Sequence, residues 1–244
     1  MVRWNRVGFV LFLAAGPGFS QSFNIDVGPL GTAPPPTYAA AGLAGVWNGV
    51  RADHVTPFTP GPHPQDIMLV DVHGNQTSVG FHQYGGMDLV STNDPSVTGD
   101  DAVLLNDYLA THSLVLESCM YLNGLASGTY ESIVYAWMPN NPATDQLVRY
   151  DYHPGTTLVG GTWSGSHVQG VTYAHDVFEV TGGNIGLHVG IPSGGATVPG
   201  AAFNGWQLRK IEPATVPTLT PLTLGALASA VMLAGTWLLR RRAV

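Results

Sequence analysis

Cysteine is almost absent from this chain. Cys119 is the single one among 244 residues. An intramolecular disulfide is therefore excluded, and with it the small secreted scaffolds that depend on paired cysteines. Any folded domain must be stabilised by its apolar core. Because Cys119 lies in residues 114–121, an apolar run of strand character, we expect a small buried side chain there. A reactive or intermolecular thiol is the alternative.

Charge is also scarce. Charged residues make up 10% of the chain, against roughly a quarter in an average soluble domain. Between Asp26 and Glu212, all sixteen acidic residues are opposed by four basic ones, which leaves a formal charge of −12 in this part of the chain. A segment this acidic repels nucleic acid, so we expect no nucleic-acid partner.

Helical periodicity is rare, whereas glycine and proline are abundant, with 31 and 18 residues. About eight short segments have the pattern of strands and lie between turn-forming segments. In some, apolar and polar residues alternate; others are rich in β-branched and aromatic residues. These segments are residues 23–27, 67–72, 114–120, 129–138, 147–152, 176–180, 185–191 and 206–211. The pattern predicts a mainly β fold, a single antiparallel β-sandwich of the jelly-roll kind.

One pair of segments has the pattern of a hairpin. Residues 176–180 and 185–191 are separated by Thr181-Gly182-Gly183-Asn184, which predicts a tight turn between paired strands. In residues 185–191 every second residue is apolar, so one face of the predicted sheet is buried and His188 lies on the other face.

Residues 99–109 form the one helical pattern, and Asp100 or Asp101 is placed to cap its first turn. The loop of residues 93–101 is rich in side-chain oxygens, and Asp107 follows it. Calcium prefers such hard oxygen ligands, so a structural calcium ion is one interpretation of the loop. Helix capping and local hydrogen bonds are the default interpretation. We expect no other cofactor.

The N-terminus has the three parts of a secretory signal peptide. Two arginines precede the apolar residues 7–15, a run too short to span a bilayer comfortably. Gly18 and Ser20 then supply small residues at the −3 and −1 positions of a cut before Gln21. We predict export with cleavage after Ser20; an uncleaved anchor is the alternative.

The C-terminus has a longer apolar segment. Residues 219–239 carry no charge and would extend about 31 Å as a helix, which matches the hydrocarbon core of a bilayer. Arg240, Arg241 and Arg242 follow directly, and each would cost about 2.5–3.5 kcal/mol at the bilayer centre. The sequence therefore predicts a single transmembrane helix with its arginines in the cytoplasm.

This C-terminal pattern is similar to a known sorting signal. Val216, Pro217, Thr218 and Leu219, followed by the apolar segment and the arginine cluster, resemble the IPTL-CTERM domain, a relative of the PEP-CTERM signals of bacteria. The first motif residue is Val rather than Ile. The resemblance implies recognition by an exosortase-type membrane protease, removal of the tail, and delivery to the cell envelope, the surface or the extracellular matrix.

These patterns divide the chain into five segments, one before the folded domain and three after it. They are a signal peptide (1–20), a β-sandwich ectodomain (21–212), a linker with the sorting motif (213–218), a transmembrane sorting helix (219–239) and a basic cytoplasmic tail (240–244).

The ectodomain also resembles exported bacterial proteins with galactose-binding-like jelly rolls. The resembling stretches are residues 23–28, 122–130, 134–137, 160–170 and 203–208, in matching order. The resemblance implies a carbohydrate-binding or surface-binding function, and it implies that the first and last strands lie together. No ligand residues of that family map onto this chain.

Trp163 is the candidate ligand platform, because its glycine-rich surroundings indicate a loop and an indole face stacks well on a sugar ring. Packing of Trp163 against the edge of the sandwich is the alternative.

The nine histidines are scattered along the chain. His73 with His82, or His167 with His175, would form a zinc-binding or copper-binding pair if they met across strands.

No catalytic motif is present, since the chain has neither a G-x-S-x-G elbow nor an H-E-x-x-H sequence. We therefore expect a non-enzymatic surface or matrix protein that binds polysaccharide. A secreted hydrolase of glycans and a purely structural matrix component are the alternatives.

Overall fold

A computed structural model describes residues 21–29, 31–50, 67–84, 87–111, 117–192 and 201–211. Within these ranges the fold is mainly β, as predicted. The predicted signal peptide and sorting helix lie outside the described residues, and no helix among the described residues has the length and hydropathy to cross a bilayer. The elements are β1 (Ser22–Val27), β2 (Trp47–Val50), β3 (Ile67–Val70), β4 (Gln76–Tyr84), β5 (Met87–Ser91), α1 (Asp100–Leu105), β6 (Asp107–Thr111), β7 (Glu117–Asn123), β8 (Gly128–Tyr135), β9 (Gln146–Tyr150), β10 (Thr157–Val159), β11 (Tyr173–Val180), β12 (Asn184–Gly190), β13 (Ala202–Phe203) and β14 (Gly205–Ile211).

Two large sheets form a sandwich. The five-stranded sheet has the order β11-β8-β14-β1-β2, and the six-stranded sheet has the order β10-β9-β12-β7-β4-β3. All strand pairs in them are antiparallel except β1 with β2. A smaller sheet, β13-β6-β5, lies beside them.

The core lies between the two large sheets. Phe23, Ile25 and Val27 of β1 and Leu187 and Val189 of β12 belong to the same buried apolar cluster. Each set consists of alternate residues, which a strand directs to one face. Burial of these faces against each other is the main source of stability in a domain without disulfides.

The first and last strands of the domain lie together, as the resemblance implied. Strands β1 and β14 are antiparallel, with Phe23 opposite Leu208 and Ile25 opposite Trp206. All of β1 is buried, and so are residues 205–208 of β14, whereas residues 209–211 are not. Because β14 also pairs with β8 and β1 with β2, the first and last strands lie side by side in the interior of the five-stranded sheet.

The predicted hairpin between residues 176–180 and 185–191 is wrong. Strand β11 pairs with β8 in the five-stranded sheet, whereas β12 pairs with β7 and β9 in the six-stranded sheet. Phe178 and Ile185 both face the shared core, so the turn carries the chain across the sandwich. Gly183 in this turn has a φ of 77°, a left-handed conformation that glycine adopts without strain.

The predicted helix over residues 99–109 is too long, because α1 ends at Leu105 and β6 begins at Asp107. The side-chain amide of the fully buried Asn204 donates hydrogen bonds to the carbonyls of Leu105 and Asp107, which fixes the backbone in the change from helix to strand. The predicted capping is also absent, since Gly99 occupies the N-cap and no side chain bonds there.

Candidate functional site

The outer face of the six-stranded sheet carries a row of polar side chains. Cys119 of β7 is opposite His188 of β12, and His188 is opposite Arg149 of β9. Their sequence neighbours Met120 and Leu187 are fully buried in the core. Because side chains alternate along a strand, the three polar residues project together from the opposite face.

His188 connects two neighbours in this row. Its Nε2 lies 2.7 Å from Oδ1 of Asp151, and its Nδ1 lies 2.9 Å from Sγ of Cys119. A carboxylate only accepts hydrogen bonds, so Nε2 of a neutral His188 carries the proton and Nδ1 accepts from the thiol. The ring is thereby held in one orientation.

Glu117 and Arg149 form a two-bond ion pair at the same surface. Nε of Arg149 donates to Oε1 of Glu117 over 3.0 Å, and Nη2 donates to Oε2. The hydrogen bond from Arg149 is the main reason that the pKa of Glu117 is lowered. About a third of each side chain is exposed, at 38% for Arg149 and 34% for Glu117, so both retain faces for a ligand.

Gly186 leaves room for two further groups beside His188. A Cβ atom at Gly186 would lie 2.7 Å from Cε1 of Tyr121 and would also collide with the Asp151 carboxylate. Tyr121 and Asp151 are hydrogen-bonded, and burial followed by the Asp151 charge raises the pKa of Tyr121. The aromatic ring and the carboxylate thus converge over a strand position that lacks a side chain.

Tyr152 follows Asp151 and is the most exposed large hydrophobic residue among the described residues, at 102% of its reference area. Its φ is +62°, a conformation that costs a non-glycine residue about 1–3 kcal/mol and is found often at functional sites. We name the group of Glu117, Tyr121, Arg149, Asp151, Tyr152 and His188 the Tyr152 surface. The sequence signal that could have identified this surface is an aromatic residue just before the Pro154-Gly155 turn.

A cleft lies on the other side of the same turn. Its volume is about 320 Å³, and Tyr150, His153, Asp176 and Phe178 are among its lining residues. The rings of His153 and Phe178 are 5.0 Å apart. Aromatic rings beside polar groups in a concave space are typical of small-molecule sites. The cleft therefore adds a second candidate binding region next to the Tyr152 surface.

Cys119 does not lie in the core, so the expectation of a buried apolar side chain was wrong. The residue is half-buried on the outer face and is a free thiol. Burial, and next the nearby Glu117, raise the pKa of this thiol to about 12. The thiol is therefore protonated at neutral pH, and a resting thiolate nucleophile is not formed.

Trp163 lies in a separate cluster of aromatic residues. Its ring is 6.3 Å from Trp137 and 5.4 Å from His167, so one side is packed while part of the side chain remains accessible. The hydroxyl of Tyr38 donates to Asp101 over 2.5 Å and lies 2.8 Å from Nε2 of His167. Burial lowers the pKa of His167.

His167 and His175, one of the two histidine pairs considered from sequence, have separate partners. His167 contacts Asp101, and His175 contacts Glu131 at 3.0 Å. Within the part of the chain that the structure describes, no three His, Cys, Asp or Glu side chains converge on a metal position. His54, His63 and His112 lie outside the described residues.

The loop suggested for calcium is organised by its own hydrogen bonds. Oδ1 of Asp94 accepts from the backbone N–H and the hydroxyl of Ser96, and Asp101 is engaged by Tyr38. Asp107 points elsewhere, because its Oδ2 lies beside Gly28 and Asp26. The structure therefore separates the acidic residues that the sequence places together.

No protein-family model and no curated protein sequence matches the chain. Among solved structures, the YxiM protein of Bacillus subtilis is 16% identical, with 79% of this chain and 40% of that protein covered and a TM-score of 0.45. The extracellular domain of ANXUR1 from Arabidopsis thaliana is 13% identical over 80% of this chain and 49% of that chain, with a TM-score of 0.44. A family 35 carbohydrate-binding module from Clostridium thermocellum is 13% identical over 52% of this chain and 90% of the module, with a TM-score of 0.31. This chain thus spans less than half the length of the first two, and similarity at these scores assigns it to no family.

Proposed function

We propose that this protein is an exported surface or matrix protein whose β-sandwich, of the galactose-binding-like jelly-roll type, binds polysaccharide at the Tyr152 surface. The observation that carries the proposal is the fully exposed ring of Tyr152 next to side chains already fixed by hydrogen bonds. A sugar ring offers C–H faces for stacking and hydroxyls for hydrogen bonds. Tyr152 supplies the first contact, and Asp151, Glu117 and Arg149 supply the second.

Prior organisation favours binding. Arg149 holds Glu117, and His188 holds Asp151, so these side chains lose little conformational freedom when a ligand arrives. Their planar carboxylate and guanidinium groups suit pairs of neighbouring hydroxyls. Because acidic and basic groups are both present, neutral polysaccharides are the better match than strongly anionic ones.

Affinity electrophoresis of the full-length protein, purified in detergent, in gels with neutral and acidic polysaccharides tests this proposal. Tyr152→Ala should weaken binding about tenfold, since loss of the stacked ring removes roughly 1.4 kcal/mol. Tyr152→Phe is the matched control and should retain most of the affinity. If Trp163→Ala abolishes retardation in these gels and Tyr152→Ala does not, the stacking residue is Trp163. That result would overturn the assignment to Tyr152.

Lack of retardation by every polysaccharide would favour the structural alternative. The hydrolase alternative has a separate readout, because released reducing ends from the same polysaccharides would reveal turnover. Glu117 is a poor candidate for a catalytic acid, since its hydrogen bonds with Arg149 stabilise the ionised form.

We also propose export and sorting by the two ends of the chain. The signal-peptide pattern before Gln21 and the motif Val216-Pro217-Thr218-Leu219 with Arg240, Arg241 and Arg242 support this. The sorting partner is an exosortase-type protease, with the membrane contacted through residues 219–239 before processing. N-terminal sequencing of the exported protein should begin at Gln21, and its mass should lack the C-terminal helix. A protein that retains both ends would contradict the proposal.

A further inference from the structure

A buried carboxyl group without a partner lies at the end of β1. Asp26 is 0% exposed, and neither of its side-chain oxygens has a hydrogen-bond partner. A buried charge without compensation costs several kcal/mol, and buried polar groups in native proteins are nearly always satisfied. Asp26 therefore requires an explanation that the polysaccharide surface, on the other large sheet, does not supply.

Gly28 opens a small space next to this carboxyl group. A Cβ atom at Gly28 would lie 2.8 Å from Oγ1 of Thr32, 3.2 Å from Oδ2 of Asp107 and 3.4 Å from Oδ2 of Asp26. Three oxygens from three different segments thus surround a volume that any other residue would fill. The backbone of Gly28 does not have a left-handed φ, so the absence of a side chain serves the space rather than the conformation.

Both strands beside β1 place a glycine opposite Asp26. Asp26 is opposite Gly205 on β14 and opposite Gly49 on β2. Burial, and next the charge of Asp107, raise the pKa of Asp26, and no basic residue among the described ones forms an ion pair with either carboxyl group. Two like charges at close range are stable only if a cation or a proton lies between them.

We propose that Asp26, Asp107 and Thr32 bind a calcium ion in the space beside Gly28. Carboxylate, hydroxyl and backbone oxygens are the ligands that calcium takes, six to eight at a time and with flexible geometry. Magnesium demands a near-ideal octahedron and gives up its waters reluctantly. Bound calcium would connect β1 of the five-stranded sheet to β6 of the small sheet. This inference is independent of the polysaccharide proposal, because it rests on other residues.

Thermal and urea unfolding of the full-length protein in calcium and in chelator tests the site. At free calcium about ten times Kd, the unfolding equilibrium constant should fall about elevenfold. Asp26→Asn and Gly28→Ala should abolish this calcium effect, the first by removing a charged ligand and the second by filling the space. Asp94→Asn is the matched control, since it removes an exposed carboxylate from the loop that the sequence suggested.

Three outcomes would overturn the proposal: no calcium effect in the unaltered protein, a calcium effect that Asp94→Asn alone abolishes, or an equal effect of magnesium at the same concentration. If Asp26→Asn does not fold, terbium luminescence on the unaltered protein and on Gly28→Ala gives the answer. Sensitised emission that calcium displaces, and that Gly28→Ala lacks, supports the site. Emission unchanged in Gly28→Ala contradicts it.

Discussion

Ser132 joins the two large sheets through buried hydrogen bonds, and its replacement by alanine tests the packing of the core. The indole N–H of Trp206 donates to Oγ of Ser132 over 2.7 Å, and Oγ lies 2.7 Å from the hydroxyl of Tyr150. Ser132 and Trp206 belong to the five-stranded sheet, whereas Tyr150 belongs to the six-stranded sheet. Ser132→Ala removes both bonds and leaves little space, since only an oxygen is lost.

Both partners of Ser132 would lose a hydrogen bond in buried surroundings. Trp206 is 0% exposed, so its N–H would be left buried and unsatisfied at a cost of about 1–3 kcal/mol. Tyr150 belongs to the buried core and is only 6% exposed, so its hydroxyl also loses a partner inside the protein. We expect a loss of about 2–4 kcal/mol in the free energy of unfolding, or roughly 4–16 °C in Tm for a domain of this size.

Urea denaturation of Ser132→Ala, Tyr150→Phe and the double variant measures these terms. Tyr150→Phe leaves the bond from Trp206 to Ser132 intact and should cost only about 0.5–1.5 kcal/mol. The double variant should cost less than the sum of the two single ones, because both remove the same bond. A Ser132→Ala variant less destabilised than Tyr150→Phe would refute the assignment of the larger cost to the orphaned indole.

Three further results are expected. Asn48→Ala should cost about 1–3 kcal/mol in urea denaturation, because the Asn48 amide bonds both the N–H and the carbonyl of Val70 on the opposite sheet. Since Arg149 lowers the pKa of Glu117 in the folded state, this ion pair stabilises the protein above the unfolded-state pKa of about 4.3 and loses its effect as pH falls through the folded-state pKa. Glu117→Gln should therefore be less stable than the unaltered protein at neutral pH and flatten the decline of stability in acid, and a parallel decline would argue against the pair. Iodoacetamide should modify Cys119 slowly at pH 8 and rapidly in urea, because burial raises the pKa of the native thiol to about 12; equal rates would contradict its protected environment.

Strands could be predicted from sequence where apolar residues alternate regularly along the chain. The segments 23–27 and 206–211 match β1 and β14 within one residue, since their core-facing apolar residues are every second one, Phe23, Ile25 and Val27 in β1 and Trp206 and Leu208 in β14. Strands β2, β4, β5, β10 and β13 were missed, and the start of β6 was assigned to the helix. Several of them are short or contain glycine, histidine and glutamine, and pairing with neighbours rather than intrinsic preference makes them strands.

Local patterns failed where a distant residue decides the outcome. The turn at Gly182-Gly183 has the composition of a hairpin, but composition cannot specify whether the next strand pairs in the same sheet or crosses the core. Likewise, the end of α1 depends on Asn204, about a hundred residues away in sequence. The hydrogen bonds of that amide outweigh the helical spacing of Tyr108 and Leu109.

The candidate sites show the same division. Sequence by itself determined the class of fold, the dependence on an apolar core and the acidic character of the domain, because composition and alternation are properties of the chain. Only the tertiary structure brought His188 between Cys119 and Asp151, and Asp107 next to Asp26. Strand register, which results from burial of the opposite face, places His188 opposite Cys119 although 69 positions separate them in sequence. Contact between β6 of the small sheet and β1, rather than register, brings Asp107 to Asp26.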